Sequence, residues 1–184
     1  MVEIFLPLCV GGGIKDESHA DAAIEAGADK VSLNTAALQQ PELLTTLAKR
    51  YGSQAVIVAI DAKQERNKFH IYVRSGQQAT DRDAVDWARE AADRGAGEIL
   101  LTSIDRDGTK SGFDCELTSA VSNAVPIPVI ASGGAGTFDH FVDVFTEGQA
   151  DAALAASIFH YNEHAVSDLK HYLTQRGIPV RLSC

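Results

Sequence analysis

The chain has 184 residues, 45% of them hydrophobic and 22% charged, which is enough for one domain with a sizeable core. A formal net charge of −9 argues against nucleic acid as a partner, because contact with many phosphates needs a basic face. It leaves room for a small phosphorylated ligand held by backbone N–H groups. No apolar run approaches the roughly 20 residues of a membrane helix, and "MVEIFLPLCV" lacks the layout of a secretory signal.

Short β-rich runs alternate with helical patterns along the whole chain. Strands are expected over 6–10, 30–34, 55–61, 98–104, 127–131 and 152–155. "AVIVAID" and "EILLTSID" are apolar without alternation, as in a parallel sheet buried on both faces. A helical pattern follows each run. "DESHADAAIEAG" has acidic and serine caps at its start and Gly27 at its end. "PELLTTLAKRYG" has Pro41 at its start and Gly52 after it. "DAVDWAREAADRG", "DCELTSAVSNA", "TFDHFVDVFTEG" and "AVSDLKHYLTQRG" complete the series. Six consecutive βα units give a parallel α/β fold. One connection breaks the rhythm. About twenty residues separate Asp61 from the helix near Asp83, and Phe69, Ile71 and Val73 alternate within them. A small β-ribbon is expected there, as a lid or binding loop; the competing reading is a solvated surface insertion.

An internal repeat sharpens the fold. "CVGGGIKDESHADAAIEAGADKVSLNTAAL" resembles "VIASGGAGTFDHFVDVFTEGQADAALAASIF", with Gly12-Gly13 matching Gly133-Gly134 and Asp29 matching Asp151 after one extra residue. Units one and two thus match units five and six, so the repeat spans four units. Two fourfold halves make an eightfold βα barrel. The counterparts of units three and four would precede residue 1. The expectation is therefore a single, incomplete (β/α)8 TIM-barrel domain over 1–184, with six of eight units present and the first two missing. An intact six-unit open sheet would leave the repeat unexplained.

Function in such a barrel sits at the C-terminal ends of the strands. Gly12-Gly13 and Gly133-Gly134 allow close backbone approach there. After the next strand of each copy come Asn34-Thr35 and Ala156-Ser157. Each pair of loops is suited to one phosphate, and two matched pairs imply two phosphates on one long ligand. Asp61 ends its strand at the same rim. A carboxylate there, under a lid, can act as general acid or base; the competing reading is a helix cap or a loop ion pair. "SIDRDGTKSG" brings Asp105 and Asp107, but no third ligand stands at metal spacing, and a turn whose Asp107-Gly108 backbone meets a phosphate is preferred. The six histidines lack zinc-like spacing, so no metal and no cofactor is expected. Lys30 and Glu98 stand at strand starts, where charge normally reads as solvation. The scattered Cys9, Cys115 and Cys184 point to a reducing, cytoplasmic setting.

"VGGGI", "GADKVSLNTAA", "GSQAVIVAIDAK", "RGAGEILLTSIDRDGTKSG", "IASGGAG" and "DAALAASIFH" together resemble the cyclase subunit of imidazole glycerol phosphate synthase, from about Pro7 through Leu182. The resemblance implies an ammonia-dependent lyase and cyclase of histidine biosynthesis, fed by a glutaminase subunit and acting on a bis-phosphorylated nucleotide. It implies that Asp61 is one of two catalytic aspartates. Gly13, Asn34 and Thr35 fall in one phosphate site, and Asp107, Gly108, Gly134, Ala156 and Ser157 in or near the other. Thr102 lines the pocket, Lys30 and Glu98 belong to a charged ammonia gate, and Asp29 faces the glutaminase. The family's first strand, ending in the other catalytic aspartate, has no match before Leu6, so impaired activity of the chain alone is expected. A non-catalytic phosphate- or glutaminase-binding remnant, and a related histidine-pathway isomerase-like barrel, are the alternatives.

Overall fold

The computed structural model describes residues 6–182; Cys184 lies outside the described residues. In chain order the elements are β1 (Cys9–Gly11), α1 (Glu17–Glu25), β2 (Lys30–Leu33), α2 (Thr35–Gln39), α3 (Glu42–Tyr51), β3 (Val56–Glu65), β4 (Lys68–Val73), β5 (Gln78–Asp83), α4 (Ala84–Asp93), β6 (Glu98–Ser103), α5 (Cys115–Ser122), β7 (Val129–Ser132), α6 (Phe138–Thr146), β8 (Ala152–Leu154), α7 (Ser157–His160) and α8 (Val166–Gln175). No described helix is long and apolar enough to cross a membrane.

Local chemistry starts the helices where the sequence marks them. The Asp16, Asp83 and Asp114 carboxylates accept backbone N–H bonds from the first turns of α1, α4 and α5. His140 Nδ1 accepts from the Gly136 and Thr137 amides at 3.1 Å, which gives this histidine a capping role at α6. α2 and α7 are single short turns that follow Asn34 and Ala156 at equivalent places in the two copies.

Six strands run parallel in the order β1-β2-β3-β6-β7-β8. Neighbours in space are neighbours in sequence apart from the β4-β5 ribbon, with no reversal of strand order of the kind that marks a doubly wound sheet. The helices cover one face. Val31, Leu33, Val56, Val58, Ile60, Ala62, Ile99, Leu101 and Val129 all belong to the main core cluster, together with Leu43, Leu44 and Leu47 of α3 and Trp87 of α4. Alternation along a strand places Ser32, Ile57, Ala59, Asp61, Leu100 and Thr102 on the other face. A parallel sheet with helices on one face and sequential strands is the barrel arrangement, as the repeat predicts, and not the open six-unit alternative.

The repeat is visible as geometry. The Leu8 amide donates to Asp29 Oδ2 at 2.8 Å, and the Asp29 amide donates to the Leu8 carbonyl at 2.9 Å. In the second copy the Val129 amide donates to Asp151 Oδ2 at 2.9 Å, and the Asp151 amide donates to the Val129 carbonyl at 3.0 Å. Cys9 pairs with Lys30 as Ile130 pairs with Ala152. The bonds from the Ala28 amide to the Ala23 carbonyl and from the Ala150 amide to the Val144 carbonyl are likewise equivalent. The extra residue therefore lies in the turn after α6.

Three boundaries differ from expectation by two residues or more. β1 starts at Cys9 rather than at residue 6, because the clasp with Asp29 closes around Leu8 and the ladder begins beyond it. β7 starts at Val129 rather than 127: Pro128 has no N–H to give a ladder, although its carbonyl accepts from the Ile99 amide at 2.9 Å. β3 continues past Asp61 to Glu65, where it turns into β4 through Arg66 and Asn67 at φ 49° and 65°, values of a type I′ hairpin turn. The expected ribbon is thus built on β3 itself. β4 pairs with β3 from Asp61 onward, past the last β2 partner at Val58.

The two glycine loops share a backbone but not an environment. Gly12, Gly13, Gly133 and Gly134 have φ of 81°, 84°, 92° and 101°, the left-handed region that favours glycine. A Cβ on Gly12 would meet nothing within 4 Å, whereas one on Gly134 would lie 2.1 Å from the Gly112 carbonyl oxygen. Gly12→Ala should cost about 1–2 kcal/mol from conformation alone, and Gly134→Ala about 3 kcal/mol or more from conformation plus overpacking. Urea unfolding of both variants checks this; equal losses would contradict it.

Candidate functional site

Two cavities open at the C-terminal ends of the strands. The first, of about 780 Å³, is lined by Gly12, Gly13, Lys15, Ser32, Asn34, Thr35, Asp61, Arg74 and Ser75 among others. The second, of about 180 Å³, is lined by Asp107, Gly108, Lys110, Ser132, Gly133, Gly134, Leu154, Ala156 and Ser157 among others. The glycine loop and the residues after the next strand come together in each copy, as the sequence pairing predicts. The loop after β6 joins the second cavity because the Asp107 amide donates to the Ser103 carbonyl at 2.9 Å, which folds Asp107 and Gly108 back toward Gly133.

Asp61 and Thr102 are register partners on β3 and β6, and Thr102 in turn pairs with Ser132 on β7. The three residues form a row of side chains across adjacent strands at one height. Asp61 Oδ2 accepts from Asn34 Nδ2 at 3.0 Å, and no helix starts at this carboxylate. Burial pushes the Asp61 carboxyl above its ordinary range; the Asn34 hydrogen bond opposes that rise and the Asp107 carboxylate adds to it.

Asp105 turns elsewhere, its Oδ2 accepting from the Gln64 amide at 2.8 Å so that it braces the ribbon. No group of three or more potential metal ligands occurs among the described residues. Lys110 is held by Glu163, with Nζ 2.5 and 2.8 Å from the two carboxylate oxygens. Burial pushes the Cys9 and Cys115 thiols upward, so neither is a ready thiolate.

Lys30 and Glu98 occupy the opposite end of the sheet. They open β2 and β6, on either side of β3, and their side chains form an ion pair. Several residues of the first cavity escaped the reading of the sequence, Lys15, Ser32, Arg74 and Ser75 among them. Ser32 carries a signal, because it shares strand parity with Asn34. Arg74 has only the weak signal of lying in the one segment that interrupts the βα rhythm.

A one-sided parallel sheet with two matched glycine cavities at one end and a half-buried carboxylate between their loops defines a βα-barrel protein. The family model described as "Histidine biosynthesis protein" matches residues 1–165. The imidazole glycerol phosphate synthase subunit HisF of Acidobacterium capsulatum is 58% identical over 181 residues, which cover 98% of this chain and 72% of that protein. The HisF subunits of Chlorobium phaeovibrioides and Chlorobium luteolum are each 54% identical over 180 residues, with the same coverage. The chain belongs to this histidine-biosynthesis family, among its imidazole glycerol phosphate synthase HisF cyclase subunits. The isomerase-like alternative is not favoured.

The raised pKa of Asp61 sets a pH dependence with a definite sign. Between the ordinary aspartate value and the raised one, the folded chain keeps a proton that the unfolded chain has released. Stability therefore falls as pH climbs through that window, and the full penalty of a buried charge persists above it. Asp61→Asn should be more stable than the parent at pH 7, with the difference vanishing once pH drops below the ordinary aspartate range. Urea unfolding across that pH range measures the difference. A variant less stable than the parent at pH 7 would contradict the assignment.

Proposed function

We propose that this chain carries out the cyclase reaction of imidazole glycerol phosphate synthase, as a single cytoplasmic βα-barrel domain. Ammonia released by a glutaminase subunit reacts with the bis-phosphorylated phosphoribulosyl-formimino-aminoimidazole carboxamide ribotide. The products are imidazole glycerol phosphate and aminoimidazole carboxamide ribotide. The observation that carries the reading is the placement of Asp61: a half-buried carboxylate, its pKa raised by burial, at the rim of a sheet with a glycine-loop cavity in each copy of the repeat.

In this reading Gly12, Gly13, Asn34 and Thr35 hold one phosphate, and Asp107, Gly108, Gly133, Gly134, Ala156 and Ser157 hold the other. The two phosphates fix the ends of an acyclic substrate and so set its middle over Asp61 and Thr102. Positioning of this kind is where much of a barrier reduction originates. Asp61 then takes and returns protons as nitrogen adds and the ring closes, a task suited to a carboxyl whose pKa lies above the usual range. The amide of Asn34 fixes the orientation of the carboxyl. Lys30 and Glu98 guard the other end, where ammonia from the glutaminase enters, and Asp29 lies at that partner's surface. The clasp that Asp29 makes with Leu8 gives it a structural duty as well. No cofactor and no metal is required by this chemistry.

Turnover of the bis-phosphorylated nucleotide with ammonium salts, and with glutamine plus the glutaminase subunit, tests the proposal. Asp61→Asn should lower the rate by about 10²–10⁴-fold while substrate binding, followed by calorimetry, stays near the parent value. Lys30→Ala should impair the glutamine-dependent rate more than the ammonium-dependent one. Substrate binding without turnover in the parent would favour a non-catalytic phosphate-binding protein, and no binding would overturn the reading altogether.

A further inference from the structure

The ribbon ends in a turn that spans the mouth of the first cavity. Arg74, Ser75 and Gly76 have successive φ values of 55°, 58° and 74°. Two of these are non-glycine residues in the left-handed region, a strained conformation for an L-residue, and strain of this kind concentrates at ligand clamps. The turn is held on both sides. The Arg74 amide donates to Thr35 Oγ1 at 3.2 Å at the start of α2, and Gly76 packs beside Ile104 after β6. Asp61 on β3 lies between these two supports.

Several of the chain's arginines are neutralised by carboxylates. Arg50 pairs with Asp21, Arg82 with Glu90, and Arg94 with Glu90 and Glu42. Arg74 has no carboxylate within 4 Å among the described residues, and it lines the same cavity as Gly12, Gly13 and Thr35. Lys110, in the second cavity, is already neutralised by Glu163. In a chain of net charge −9, a dianionic group entering the first cavity meets a background of like charge that local cations must offset. A guanidinium is the side chain best matched to phosphate oxygens, because its forked N–H groups bind them in pairs.

We propose that Arg74 is the charged clamp on the phosphate held beside Gly12, Gly13 and Thr35, so that the β4-β5 turn selects for a dianionic group at that end of the ligand. The inference rests on the reading above that this cavity takes a phosphate. Arg74 is a binding residue here; the bond from its backbone to Thr35 survives substitution of the side chain, which separates the charge from the anchoring of the turn.

Inorganic phosphate is the probe, titrated at fixed ionic strength and followed by the backbone amide shifts of Gly12, Gly13 and Thr35, with Gly134 and Ser157 reporting on the second cavity. Arg74→Gln should weaken binding at the first set by about tenfold or more, Arg74→Lys by less, and the second set should titrate as in the parent. Unchanged affinity at the first set in Arg74→Gln would overturn the clamp and leave the phosphate reading intact. No response of Gly12, Gly13 and Thr35 in the parent chain would overturn both.

Discussion

A parallel sheet whose helices all pack on one face must dispose of its other face by itself. The strand parity set by Val31, Val56, Val58, Ile60, Ile99 and Leu101 commits every apolar helix stripe to one side. The opposite side is left to small or polar groups, with Ser32, Ala59, Asp61 and Thr102 toward one end and the Lys30–Glu98 pair at the other. A flat sheet would leave that face in water, and curling turns it into the lining of a cavity. Both the cavity end and the Lys30–Glu98 end follow from this one commitment, because a one-sided sheet that curls leaves its strand ends open.

The cost of a functional carboxylate is then visible against the rest of the sheet. Asp61 follows Ile60, in the most deeply buried stretch of β3. Its neighbours support it with one amide rather than with a cation, so its proton is held more tightly than in water. An arginine or lysine in the place of Asn34 would stabilise the anion and remove the raised pKa that the proposed proton transfer uses. The arrangement gives up stability for a tuned pKa, as acid and base groups at active sites generally do.

Much of this was legible in the sequence. The repeat predicts the register, and the register confirms it down to equivalent hydrogen bonds at Asp29 and Asp151. The grouping of Gly12-Gly13 with Asn34-Thr35, and of Gly133-Gly134 with Ala156-Ser157, follows from strand order alone, since loops at one end of adjacent parallel strands must meet. Other features were not legible for identifiable reasons. The start of β7 is set by the missing N–H of Pro128, which an apolar run hides. The glycines at 133 and 134 read as room for a ligand, yet the place a Cβ would take is also filled by the Ser103 and Gly112 carbonyls, so chain packing demands glycine there as well. The Asp105 and Lys110 side chains find partners forty or more residues away, Gln64 and Glu163, and no local pattern announces such pairs.

The same contrast between the two copies bears on how the halves of a repeated fold diverge. Both copies keep the clasp at the strand start and the left-handed glycine pair, because the sheet does not close its register without the first or its turn without the second. Around those fixed points the copies differ. The second loop is packed against the chain after β6, with its lysine neutralised and a cavity of about 180 Å³. The first loop is open beneath the β4-β5 ribbon, with Lys15 and Arg74 on a cavity of about 780 Å³. Symmetry in the backbone therefore coexists with asymmetry in charge and space. Under the proposed function, a ligand with two phosphates would meet fixed amides at the packed end and charge at the open end. Such a division would give a long ligand a defined direction across Asp61, which a symmetric pair of sites could not do.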